Sequence, residues 1–257
     1  MEVENDSFAE EFLDACYDWE LSKVQEALAT RRPSAENLNE GLANATRQRH
    51  TEMVAALFDA GAGLSISAID SLPGINLMQD VGIVRLFFDH GLDPNAIVSN
   101  SEPILAFMAD FACAREFLSR GADPNRIGPS GKSILVGAIV SSEDTSWIEV
   151  LLEYGARLEQ EYLFYALRPR VRQKLQKTSF LLAKGLDPNH INTEWGTPLH
   201  YAVECGSPGL VRILLDAGAD PTVRSTGKSY YGELPLAAAE HIRIPKNKEE
   251  IIALLQT

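Results

Sequence analysis

Residues 196–222 read GTPLHYAVECGSPGLVRILLDAGADPT, and side-chain chemistry alone writes two short helices onto them. Thr197 can cap a helix start, and Pro198 suits the first turn, where its missing N–H costs nothing. Leu199, Ala202 and Val203 then share one helical face, and the small Ala202 lets a second helix come close. Further along, Val211, Leu214 and Leu215 recur at i, i+3 and i+4, the spacing of one apolar stripe. Gly218 stands just past that run, where a left-handed C-terminal cap needs no Cβ. Asp220-Pro221 follows, because proline cannot continue a helix and Asp favours a turn.

The second half of this stretch recurs along the chain. It appears as MVAALFDAGAG ending at Gly63, VRLFFDHGLDPN ending at Asn95 and AREFLSRGADPN ending at Asn125. It returns as IEVLLEYGARL ending at Leu158 and SFLLAKGLDPN ending at Asn189. The shared glycines are Gly61, Gly91, Gly121, Gly155, Gly185 and Gly218, spaced by 30, 30, 34, 30 and 33 residues. A second helical segment precedes each such helix by about 12 to 15 residues, a spacing typical of repeat units. Weaker forms of the 197–202 entry are Glu102 to Phe107, Lys132 to Ala138 and Leu234 to Ala238.

A helix–turn–helix unit of about 33 residues with a T-P-L-H-x-A entry resembles the ankyrin repeat. Thr197 to Ala202 matches that entry in full, and the glycine punctuation extends the resemblance over about three-quarters of the chain. The resemblance implies an all-α solenoid of stacked helical hairpins, about seven or eight repeats with atypical ends. The expected divisions are an N-terminal cap at 1–31, repeats at 32–64, 65–95, 96–125, 126–158, 159–189 and 190–222, and a C-terminal cap at 223–257 ending in a helix from Lys248 to Gln256. No low-complexity linker interrupts the array, so one domain over 1–257 is expected. Two repeats depart from the pattern. Segment 64–80 has no entry motif and carries Pro73-Gly74, and Glu161 to Ala166 puts aromatics where the entry belongs.

Hydrophobic residues make up 45% and charged residues 23% of the 257, which suits a folded chain. The net charge of −13 repels nucleic-acid backbones and anionic membranes alike, so neither general nucleic-acid binding nor membrane association is expected. The first twenty residues hold eight acids and neither Lys nor Arg, unlike a secretory or mitochondrial targeting peptide. An intracellular, cytoplasmic or nuclear, monomer is expected. Cys16, Cys113 and Cys205 are odd in number and widely spaced, which fits neither a disulfide framework nor a zinc knuckle.

Gly-Lys-Ser occurs at 131–133 and 227–229, but a phosphate-binding loop needs an earlier glycine where Arg126 and Thr222 stand. Both are expected to be turns between repeats. His200, Glu204 and Cys205 can be drawn as a metal trio, yet the fourth entry position is one where a histidine satisfies turn groups. No catalytic residue, metal ligand or cofactor is nominated.

The resemblance implies that a protein partner meets the turn tips and the inner helices of a concave side. That geometry points to Glu194, Trp195, Glu204, Cys205 and Ala217. Trp195 is either an exposed hot spot at a tip or a ring packed on the adjacent turn. Tyr230 and Tyr231 occupy the equivalent region one repeat on, and Tyr162 and Tyr165 face either the inner surface or the core. A basic stretch, Arg168, Arg170, Arg172, Lys174 and Lys177, has no acid between Phe164 and Leu186. If helical from Arg170, its Arg170, Lys174 and Lys177 form one stripe, either a solvated face or a dock for an acidic peptide or phosphate group. The expected function is a non-catalytic scaffold, adaptor or inhibitor that binds a protein. The alternative is an enzyme or small-ligand binder using a pocket in the irregular repeats 65–95 and 159–189.

Overall fold

The computed structural model describes residues 2–74, 78–131, 133–242 and 244–256. They form two compact units, 1–134 and 135–257. The fold is all-α. Among the described residues there is no strand, only isolated bridges between Ile97 and Pro103 and between Asn192 and Gly196. No helix of the described residues is long and apolar enough to cross a membrane.

In the first unit the helices pair as α1 (Glu2–Tyr17) with α2 (Leu21–Ala29), α3 (Ala35–Arg47) with α4 (Thr51–Asp59), and α5 (Ile66–Ser71) with α6 (Val81–Asp89). A 3-10 turn (Ile104–Phe107) then precedes α7 (Phe111–Ser119). Helix α3 packs on α1 and α5, while α4 packs on α2 and α6. In the second unit the pairs are α8 (Ile134–Ser141) with α9 (Ser146–Glu153), α10 (Tyr162–Ala166) with α11 (Lys174–Ala183), α12 (Pro198–Glu204) with α13 (Pro208–Asp216), and α14 (Pro235–Ala239) with α15 (Pro245–Leu255). There α12 packs on α10 and α14, and α13 on α11 and α15. First helices thus line one layer of each unit and second helices the other.

The irregular repeats are irregular for readable reasons. Helix α5 stops at Ser71, ahead of Leu72-Pro73-Gly74; residues 75–77 of that segment lie outside the described residues, as does Lys132 of the first Gly-Lys-Ser. In α10 two of the three aromatics serve the core: Tyr162 and Phe164 are buried with Leu163 and Ala166, and Tyr165 is half-buried. The last helix begins at Pro245 rather than Lys248, because proline is accommodated in a first turn.

The six periodic glycines share one geometry. Gly61, Gly91, Gly121, Gly155, Gly185 and Gly218 have φ between 88° and 98°, backbone that an L side chain resists. Each donates its N–H to the carbonyl three residues back, and the next residue donates to the carbonyl five back, as in Gly185 N to Leu182 O (2.9 Å) and Leu186 N to Leu181 O (3.3 Å). This is the Schellman cap, which satisfies carbonyls the helix leaves unpaired. The residue after each glycine (Ala62, Leu92, Ala122, Ala156, Leu186, Ala219) is buried, so the cap also turns an apolar side chain back into the core.

The Asp-Pro-Asn that follows is a staple. Asp187 Oδ1 accepts the Asn189 N–H at 2.8 Å. The Asn189 side chain then reaches the next repeat, donating to Gly218 O (2.9 Å) and accepting from Asp220 N (2.7 Å). Asn95 does the same to Gly121 O and Asp123 N. Gln160 Oε1 accepts from Asp187 N in the same way.

Substituting Gly185 by Ala isolates the backbone term, since an added Cβ there meets nothing within 4 Å. The variant is expected to lose about 1–2 kcal/mol of stability, read as a lowered urea midpoint; an unmoved midpoint would show that the cap is not a stabilising element.

Candidate functional site

The site grows from the turn that enters α12. Asn192 and Gly196 exchange backbone hydrogen bonds (2.8 and 2.9 Å), and Asn192 Oδ1 accepts from the N–H groups of Glu194 and Trp195. Thr197 and His200 then close a capping box: the buried imidazole accepts at Nδ1 from the Thr197 hydroxyl (2.8 Å). Its Nε2 faces Glu233 O at 3.1 Å. A carbonyl can only accept, so Nε2 carries the proton, and both ring nitrogens are engaged. Burial lowers the His200 pKa below its ordinary 6.5.

The second Gly-Lys-Ser is the next turn, docked backbone to backbone on this one. Lys228 N donates to Thr193 O (3.0 Å) and Ser229 N to Glu194 O (2.8 Å). A Cβ on Gly227 would lie 2.2 Å from Gly196 N, so the approach itself demands glycine. Lys228 Nζ pairs with Glu194 at 2.9 Å.

These turns carry an aromatic surface. The half-buried Trp195 ring lies 4.8 Å from Tyr201 and stacks on Phe164 at 6.1 Å. The Trp195 ring is half-buried and packs on Phe164 of α10 and Tyr201 of α12. Arg168 lies over the Tyr165 ring at 4.3 Å. Cys205 Sγ faces Leu167 O at 3.8 Å, and burial pushes its thiol up to about 11, so it is neutral and unreactive at physiological pH. Burial also raises the pKa values of Tyr201, Glu204 and Tyr230. The Glu204 carboxylate bears electrostatically on Tyr201, Cys205 and Tyr230, Arg168 on Tyr201 and Lys174 on Cys205, which places these six side chains in one neighbourhood. Phenols, rings, one carboxylate and two flanking cations make a surface suited to an extended or amphipathic segment.

Tyr230 is half-buried and also meets the His241 ring (5.6 Å), whereas Tyr231 is 78% exposed at the tip. Other expected residues fall elsewhere. Ala217 is exposed at the end of α13, on the other helix of its hairpin. The expected Arg170–Lys174–Lys177 stripe does not exist, because Gln173 is left-handed (φ 46°) and the helix begins only at Lys174. Arg172 pairs with Glu143, and Arg170 is exposed. Lys177 is withdrawn from any docking surface: it is 0% exposed and donates to Ile139 O (2.9 Å) and Ser142 O (2.6 Å) at the end of α8. Desolvation lowers its pKa, with Asp144 opposing. Sequence reasoning missed Tyr201 and Phe164 as ring partners of Trp195. Tyr201 fills the free position of T-P-L-H-x-A, which was the available signal.

Residues 181–229 match the family model described as ankyrin repeats in many copies. Over that stretch the chain is similar to ankyrin repeats. No curated protein matches the chain. Among solved structures, the ankyrin repeat domain of Bcl-3, titled a unique member of the IkappaB protein family, is 19% identical with a TM-score of 0.55, covering 84% of each chain. An ankyrin repeat domain from Acinetobacter baumannii AYE is 21% identical with a TM-score of 0.53, covering 69% of this chain and 91% of its own. At such identities the likeness concerns the ankyrin-repeat fold.

Two outcomes test this account. His200 is neutral when folded but protonates near 6.5 when unfolded, so its contribution is complete above pH 6.5 and is lost as pH falls from there toward its lowered folded pKa. Stability should therefore drop on acidification below 6.5, less steeply in His200→Asn; equal slopes would refute the buried neutral ring. Lys177→Met leaves two carbonyls unpaired and should cost about 2 kcal/mol in chemical denaturation, while Arg170→Ala should cost almost nothing.

Proposed function

We propose that this chain is a non-catalytic interaction module that binds a protein partner inside the cell, itself a monomer and without a cofactor. Ankyrin-repeat domains generally serve protein–protein interaction. The observation that carries the reading is the ring surface of the second unit. The half-buried Trp195 and Tyr165 lie among Arg168, Glu204 and the buried Tyr201 ring, with Tyr231 projecting at 78% exposure from the adjoining tip. Exposed or half-buried aromatics and Arg are the side chains that dominate protein interfaces. The net charge of −13 disfavours nucleic acid and anionic lipid as the occupant. A scaffold, adaptor or inhibitor role fits this surface, with partner contacts at the tips and along α10, α12 and α14.

Tyr231→Ala combined with Arg168→Ala removes two outward contacts and no core packing. Partners captured by the immobilised wild-type protein and identified by mass spectrometry should be recovered at least about tenfold less well by the double variant, as expected for hot-spot truncation. Its melting temperature should stay within about 2 °C of wild type. Equal recovery of every partner would remove this surface from the function.

A further inference from the structure

A second surface lies in the first unit, and its chemistry differs from that of the ring surface. Residues 1–134 hold 21 Asp and Glu against 10 Lys and Arg, whereas residues 135–257 hold 15 against 13. Where α1 gives way to α2, two aromatic side chains face solvent: Trp19 is 64% exposed and Tyr17 46%. Isolated surface apolar residues need no explanation, but a Trp exposed to this degree beside a Tyr is an interface feature.

Trp19 is also held in place. Its φ is 63°, and it occupies the left-handed position just past α1, where Glu20 N donates to Ala15 O at 3.0 Å. The matching residue at the end of α12 is Gly206, with φ 58°. A bulky side chain here carries backbone strain that glycine avoids. One face of the indole stacks on His50, 5.1 Å away and 9° from parallel. His50 is fixed in turn by donating from Nε2 to Tyr17 O at 3.2 Å. The ring is thus a rigid platform whose remaining surface meets water.

The charges around it select the occupant. Glu10, Asp14 and Asp18 follow one another at i, i+4 and i+8 and are exposed, an arrangement in which like charges repel. They run toward the C-terminal end of α1, where the helix dipole is already negative and no basic residue stands in the last turn. Glu11, Asp18 and Glu20 all bear on Lys23, which is paired with Glu20 at 2.7 Å. Arg49 precedes His50 in the chain, and Arg32 lies over the Phe8 ring of α1 at 4.1 Å. The acids therefore remain in excess beside an open aromatic ring.

The geometry points to this edge as a docking surface for a Lys- and Arg-rich segment of a partner protein, with one cation over the free face of Trp19 and others on the Glu10–Asp14–Asp18 line. A cation over indole is the strongest of the cation–π pairings, and a basic strand relieves the repulsion along α1. An acidic or purely apolar partner would bury these carboxylates without countercharge. A second copy of the same edge would set two acidic lines against each other.

The test uses the full chain and a fluorescein-labelled peptide of about twelve residues alternating Arg or Lys with Ser, against a counterpart with Glu at the basic positions. Expected is binding of the basic peptide alone, weakening at least about tenfold from 50 to 300 mM salt. In ¹⁵N-labelled protein the indole N–H signal of Trp19 should shift, and those of Trp147 and Trp195 should stay. Trp19→Gly places at the left-handed position the residue it favours, so its melting temperature should equal or exceed that of wild type while affinity falls about tenfold. Asp14→Asn with Asp18→Asn should weaken binding comparably and flatten the salt dependence. The proposal is overturned by no binding at about 1 mM peptide, by equal binding of the Glu counterpart, or by a shift at Trp195 in place of Trp19. Affinity unchanged in both variants, or self-association that buries Trp19 in place of peptide, overturns it equally.

Discussion

A short helix that must reverse direction every thirty-odd residues ends with carbonyls it cannot pair, and the way those carbonyls are satisfied governs everything downstream in this chain. At six positions a glycine near φ +90° swings the backbone out of the helix. Its N–H and that of the next residue return to the last turn. The same swing buries the following Ala or Leu, so hydrogen bonding and core packing are achieved in one movement. An L side chain resists this backbone, so glycine is the residue that takes it without strain.

From that exit the Asp-Pro-Asn sequence carries the register to the next hairpin. Asn95 and Asn189 each bind a carbonyl and an N–H of the following repeat, which ties neighbours through groups that would otherwise face water alone. The entry turns add a second tie, with residues 227–229 lying on the backbone of 193–196. The repeat at 190–222 is therefore tied to its neighbours at both ends of its helical pair, as nearest-neighbour stacking requires. The surface at Trp195 and Tyr201 is a by-product of that tie: the turn that docks on its successor also holds the indole over the start of α12.

The two units offer contrasting surfaces. In the second, rings and phenols sit among Arg168, Lys174 and Glu204, with acids and bases nearly balanced. In the first, exposed rings at Trp19 and Tyr17 border unbalanced carboxylates. A repeat scaffold permits this because surface positions carry few packing demands, so charge can drift along the array while the caps stay constant.

Much of this was legible in the residues themselves. Left-handed glycines, proline at first turns and the Thr197–His200 entry are local features, set by backbone sterics and hydrogen bonds within a few residues, and local features survive in a linear string. The helical pairs and the bland nature of the second Gly-Lys-Ser run followed from them. What the string could not decide depended on contacts between distant residues. Lys177 looked like one of five solvated cations, yet a neighbouring helix end 35 and 38 residues away withdraws it from water. Trp195 stood open between an exposed tip and a packed ring until Phe164 and Tyr201 were placed beside it, and the basic stripe dissolved because Gln173 takes a left-handed turn that no periodicity announces. Whether a polar or aromatic side chain faces solvent is set by what packs against it, and that is a property of the stacked hairpins rather than of any one of them.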